Sequence, residues 1–142
     1  MIVPDINLLV YAYNSDSPKH RQAKAWWEDC LSDRQPVGLP WVVMLGYLRL
    51  TTSRSVLVEP FAPQEAIGHV KAWLERPQVQ IIQPGARHLE LLDSLMRDGQ
   101  ASGNLTTDVH LAALAIEHRA ELHSNDSDFS RFPGLRWTNP LK

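Results

Sequence analysis

Short apolar runs alternate with longer segments of helical periodicity from one end of this 142-residue chain to the other. The strand candidates are Met1–Pro4, Val37–Leu39, Val79–Ile82, Glu121–Ser124 and Leu135–Thr138. Between them, apolar residues recur at three and four positions over residues 7–13, 18–32, 41–52, 63–76, 86–97 and 108–119. That alternation leaves few architectures open. It predicts an α/β fold in three α/β/α layers, with a short parallel sheet covered on both faces. The length is that of one domain over residues 1–142.

The punctuation agrees with the periodicity. Asn14-Ser15-Asp16-Ser17-Pro18 is a turn cluster, with Ser17 a candidate N-cap and Pro18 a first helical residue. Pro40 and Pro63 can open helices, whereas Pro77 and Pro84-Gly85 stop them. The segment Trp41–Thr52 is apolar almost all round and is expected to be buried. So is the helix starting at Asp108, where Val109 and Leu111 through Ile116 leave little polar face. Pro4 cannot donate a ladder hydrogen bond, so it fits only at the end of its strand or at a bulge.

Asp5 interrupts two apolar runs, Met1–Pro4 and Ile6–Leu9. An acid there is costly unless it is paired or coordinated. Its position, after strand one, is the carboxyl edge of a parallel sheet, where ligands bind in open α/β folds. Asp108 opens the most apolar helix, and Asp126 and Asp128 follow the fourth strand. In a parallel sheet strand ends and helix starts share one edge, so these acids can converge. Packed together they repel and raise one another's pKa values, and a divalent cation removes that penalty. Hard carboxylate oxygens suit Mg²⁺ or Mn²⁺ rather than Zn²⁺. Plainer roles stay open for each: turn and cap residues for Asp126 and Asp128, a first-turn acid for Asp108, a core hydrogen-bonding acid for Asp5.

Other chemistry is excluded or weak. The formal net charge of −2 does not advertise a polyanion-binding surface, although local basic residues remain available. Lys19, His20 and Arg21 form a small basic cluster, and Arg49, Arg54 and Arg131 are further candidates for phosphate contact. The six histidines show no zinc-type spacing, and there is no glycine-rich phosphate loop or GxSxG elbow. Cys30 is the single cysteine, which argues against disulfides and suits a reducing, cytoplasmic setting. No signal peptide or membrane-length apolar run is evident. A phosphoacceptor receiver would want adjacent acids after strand one and a late lysine. An aspartyl phosphatase would want a second aspartate two residues after Asp5, where this chain has Asn7.

An ordered set of stretches resembles the PIN-domain ribonucleases, specifically the VapC-type toxins of bacterial toxin–antitoxin pairs. They are Val3-Pro4-Asp5-Ile6-Asn7-Leu8-Leu9 with Tyr11-Ala12, Ser17-Pro18 with His20, and Leu48-Arg49. Further on come Gly103-Asn104-Leu105 with Asp108 through Ala115, Ser124 through Phe129, and Phe132 through Trp137. The resemblance implies a PIN-like fold and Mg²⁺- or Mn²⁺-dependent endonucleolytic cleavage of RNA. It implies Asp5, Asp108 and Asp126 as metal-binding and catalytic acids, with Asp128 a further metal candidate. It also implies a VapB-type antitoxin and a second copy of the chain as partners. One position departs from the pattern: Gly46 stands where most PIN domains carry a glutamate on the third helix, and the next acid, Glu59, lies in another segment. The alternative implied by that gap is a catalytically weak module that binds RNA or its antitoxin.

Overall fold

The computed structural model describes residues 1–142. Five strands form one sheet in the order β3-β2-β1-β4-β5. They are β1 (Ile2–Pro4), β2 (Val37–Pro40), β3 (Val79–Ile82), β4 (Glu121–His123) and β5 (Arg136–Thr138). Every pairing is parallel. The sequence order reverses direction at β1, so β1 is the topological switch point and its carboxyl end the place for a ligand crevice. All three residues of β1 are buried, as a strand covered on both faces requires.

Six helices flank the sheet: α1 (Ile6–Tyr13), α2 (His20–Ser32), α3 (Trp41–Thr51), α4 (Pro63–Leu74), α5 (His88–Asp98) and α6 (Thr106–Glu117). Helix α1 packs on α2 and α3, and α3 on α4, while α5 pairs with α6. The α1–α4 group is fastened by aromatic rings. Trp73 meets Trp27 at 5.5 Å and Tyr47 at 4.7 Å between centroids, and its indole N–H donates to the Tyr13 hydroxyl at 2.8 Å. Each such pair adds about 0.5–1.5 kcal/mol beyond the area it buries. Helix α6 buries Val109 and Leu111 through Ala115, and its alanines let it lie close to its neighbours. Cys30 is buried and its thiol pushed up to about 12 by that burial, so it is a packing residue rather than a nucleophile. No helix is long and apolar enough to cross a membrane.

Two expectations change. Helix α2 begins at His20 rather than Pro18, because the Ser17 hydroxyl accepts from the Lys19 N–H at 3.2 Å and closes a separate turn first. Helix α3 is not buried all round: Val43, Met44, Tyr47 and Thr51 face the core, but Trp41 is 49% and Leu45 57% exposed. Trp41, Leu45 and Arg49 recur every four residues and share the outer face. An apolar segment cannot announce which of its faces is left uncovered.

Candidate metal centre at the carboxyl edge of the sheet

Asp5 leaves β1 and caps α1. Its Oδ1 accepts the Ile6 N–H at 2.7 Å, satisfying one of the orphan donors of the helix start. Its Oδ2 accepts the Ser124 hydroxyl at 2.7 Å, and its own N–H donates to the His123 carbonyl at 2.9 Å. Asp5 is only 6% exposed. Burial raises its pKa, the two hydrogen bonds draw it back, and the charge of Asp126 raises it again.

Ser124 directly follows β4 and is fully buried. Its oxygen also accepts the Asp126 N–H at 3.0 Å, so one hydroxyl joins two of the acids. Asp126 in turn caps the 3₁₀ turn Ser127–Arg131, its Oδ1 accepting from the Asp128 N–H at 2.9 Å. The plain cap role and membership of the acidic site are therefore held by the same side chain. Asp108 lies in the first turn of α6. The helix dipole favours its anion, yet its pKa is raised to about 6. Partial burial is the first cause, followed by the charges of Asp5, Asp126 and Asp128, with Arg131 pulling the other way. Burial and neighbouring like charges thus act together on this carboxyl.

Carboxylate oxygens of Asp108, Asp126 and Asp128 lie within 4.8 Å of one another, a spacing at which they could hold a metal ion. Asp5 is outside that trio but near enough for its charge to act on Asp108. The donor set is oxygen alone, which suits a hard divalent cation. Of the sequence candidates, the structure thus brings Asp5, Asp108, Asp126 and Asp128 to one edge of the sheet.

The basic candidates separate. Arg49 is exposed on α3, with no acid within ion-pair distance, and Arg21 is exposed on α2. His20 is engaged, its Nδ1 2.9 Å from the Tyr11 carbonyl, and the Lys19 ammonium sits 5.3 Å from the centre of the Tyr11 ring. Arg131 is engaged within the protein: its guanidinium pairs with Asp128 at 3.4 Å and donates to the Gly99 carbonyl at 3.2 Å. Glu59 lies in the loop after α3, on a cleft with Tyr13, Asp16 and Phe61 and outside the acidic trio.

Gly46 is buried against α1. A Cβ there would stand 2.5 Å from Cδ1 and 2.9 Å from Cγ1 of Ile6. A longer side chain at position 46 would therefore meet the Ile6 side chain first, and Ile6 would have to shift to admit it.

Sequence reasoning missed two features. Ser124 gave one signal, a serine two residues before an aspartate after a strand, which is the pattern of a side-chain turn. The other is a chain of bonds across α5 and α6. His88 Nδ1 lies 2.5 Å from Glu117 Oε1 and His88 Nε2 lies 2.8 Å from His110 Nδ1, while Glu117 Oε2 accepts the Gly85 N–H at 2.8 Å.

Known proteins resemble this chain in sequence and fold. The PIN domain model matches residues 2–135. Ribonuclease VapC33 of Mycobacterium tuberculosis is 45% identical over 142 residues, covering 100% of this chain and 99% of the relative. Ribonuclease VapC37 of the same organism is 39% identical, covering 99% of this chain and 97% of its own. Among solved structures, VapBC2 from Rickettsia felis, bound to a DNA fragment from its promoter, superposes with a TM-score of 0.69 at 23% identity, covering 98% of each chain. The chain belongs to the PIN domain family, within its VapC branch.

Proposed function

We propose that this chain is the toxin of a type II toxin–antitoxin pair, a Mg²⁺-dependent endoribonuclease that acts as a single domain in the cytoplasm. The observation that carries the reading is the convergence of Asp108, Asp126 and Asp128 to within 4.8 Å of one another at the carboxyl edge of the sheet. The raised pKa of Asp108 is consistent with it: burial first, then the charges of Asp5, Asp126 and Asp128, oppose its anion, and a bound cation would relieve that. These three residues would hold the ion, with Asp5 completing the negative lining. A bound Mg²⁺ or Mn²⁺ lowers the pKa of its water and stabilises charge developing on a phosphate.

The remaining roles belong to the chain itself. Asp5 and Asp126 are kept in place by the shared Ser124 hydroxyl, so the acids are pre-arranged for catalysis. Arg49, Lys19 and Arg21 supply positive charge for an RNA backbone, with no base specificity of their own. His20, fixed by the Tyr11 carbonyl, orients that loop. The relatives named as VapBC complexes support a VapB-type antitoxin as partner, and the exposed Trp41 and Leu45 supply apolar surface for such an antitoxin or for a homodimer.

A second reading, a weakly catalytic binding module, is favoured by Gly46, which carries no acid and whose missing side chain is replaced by that of Ile6. RNA cleavage with and without Mg²⁺, for the wild type, Asp5→Asn and Asp108→Asn, separates the two. Cleavage that needs the ion and both acids supports the nuclease. Equal cleavage by all three proteins overturns it, and RNA binding without cleavage by the wild type selects the binding module.

A further inference from the structure

Arg131 has a position that neither a phosphate contact nor a surface ion pair explains. Its side chain is one-third exposed, at 33%, and its Nε is buried without a partner. The guanidinium instead works from its two outer nitrogens. One donates to the carbonyls of Gly99 and Gln100 at 3.2 and 3.4 Å, and the other to Asp128 Oδ1 at 3.4 Å. The first pair of acceptors belongs to the segment joining α5 to α6. The second belongs to the turn after β4, which Arg131 itself ends, so the bond to Asp128 is local and the carbonyl contacts are the ones that cross between segments.

That segment is shaped for the contact. Gln100 adopts a left-handed backbone at φ 50°, and the Ala101 N–H returns to the Met96 carbonyl at 3.0 Å, closing the end of α5. This turns the carbonyls of residues 99 and 100 outward, away from the helix they terminate. Gly99 has no room for a Cβ, which would lie 2.8 Å from Phe132 Cδ1. The loop therefore rests directly on the residue next to Arg131. A few residues further on, the same segment starts α6 and delivers Asp108.

We infer that Arg131 is a positioning residue that clamps the Asp108 segment to the Asp126–Asp128 turn and so sets the spacing of the carboxylates in the metal centre. The inference rests on the reading of these acids as a metal site. The clamp and a pure counter-charge predict opposite things. Without a clamping role, removing a cation beside the site would leave divalent binding as tight or tighter. With it, loss of the Gly99 and Gln100 contacts lets the two segments drift apart, loss of the Asp128 contact frees that carboxylate within its own turn, and either weakens binding even where the charge is kept.

The experiment is titration of Mn²⁺ alone, by calorimetry, into the folded wild type, Arg131→Lys, Arg131→Met and Asp108→Asn. Arg131→Lys keeps the charge but replaces a rigid two-armed fork with one ammonium. The expected result is binding weakened about 10- to 100-fold in both Arg131 variants, as for other groups that orient metal-holding residues. With RNA as substrate, kcat falls by a similar factor while KM stays near the wild-type value. Arg131→Lys matching the wild type, or Arg131→Met binding Mn²⁺ as tightly or more tightly, overturns the clamp. A rise in KM at unchanged kcat does so too, and assigns Arg131 to phosphate contact. Mn²⁺ binding by the wild type that is lost in Asp108→Asn shows the metal reading sound whatever the Arg131 variants do. No binding by the wild type overturns both.

Discussion

Replacing Asp108 by Asn should stabilise the ion-free protein while removing a group that its proposed chemistry needs. In the folded chain Asp108 titrates at about 6 rather than 3.8, because partial burial and three neighbouring acids oppose its charge. The folded state therefore holds this proton more tightly than the unfolded chain. Stability falls as pH rises from about 4 to about 6 and stays low above that. A displacement of this size corresponds to about 3 kcal/mol. Partial contact of the carboxylate with water reduces that to about 1–2 kcal/mol. Asp5, raised in the same direction, adds to the trend. Asp108→Asn removes the Asp108 part of the penalty. At pH 7.5 in EDTA its Tm should exceed that of the wild type by roughly 3–6 °C. Near pH 3.5, where both acids are neutral, the two proteins should melt together. Millimolar Mg²⁺ should raise the wild-type Tm through binding to the folded state and leave the variant nearly unmoved. A variant no more stable than the wild type at pH 7.5 in EDTA would refute the claim that these acids strain one another in the absence of an ion.

Ser124→Ala removes the hydroxyl shared by Asp5 and Asp126, and should cost about 1–3 kcal/mol in chemical denaturation and weaken Mn²⁺ binding. Gly46→Glu forces a side chain against Ile6 and should destabilise by about 1–3 kcal/mol. Pairing it with Ile6→Ala should restore stability, and calorimetry on the double variant then shows whether an acid at that position tightens Mn²⁺ binding. His88→Leu strands Glu117 and His110 without their shared partner, lowering stability by about 2 kcal/mol in urea with RNA cleavage per folded molecule unchanged. Chelation by EDTA should stop cleavage by the wild type, and added Mg²⁺ should restore it; cleavage persisting in EDTA counts against the metal centre.

Much of the architecture is legible in the chain because its period changes from strand to helix at nearly every turn signal. Asp5 and Asp108 stand out for the same reason: each is an acid placed where an apolar segment begins or ends. Ser124 does not stand out, since its partner Asp5 lies 119 positions away and becomes a neighbour only when β4 pairs with β1. Arg131 looks like any exposed basic residue until the left-handed turn at Gln100 presents two carbonyls to it. The His88 chain is hidden likewise, because its members are collected from two helices and obey no single spacing. Ser17-Pro18 misleads in the other direction: a good capping pair in isolation is used for a turn just before the helix.

Pro4 carries a consequence for how the sheet breathes. Along β1 the backbone N–H groups alternate in direction, Ile2 donating to Pro36 on the β2 side and Asp5 to His123 on the β4 side. Pro4 falls on the β2 side and has no hydrogen to give. Register between β1 and β2 accordingly stops at Ile2 and Val37, whereas β1 and β4 stay in step through Pro4 and His123. The sheet is thus stitched unevenly. Asp5 is tied to β4 and its serine as one unit, while toward β2 the strand relies on side-chain packing rather than on a further ladder bond. Hydrogen exchange should find the Asp5 amide among the slowly exchanging set, while β2 is protected chiefly through its full register with β3.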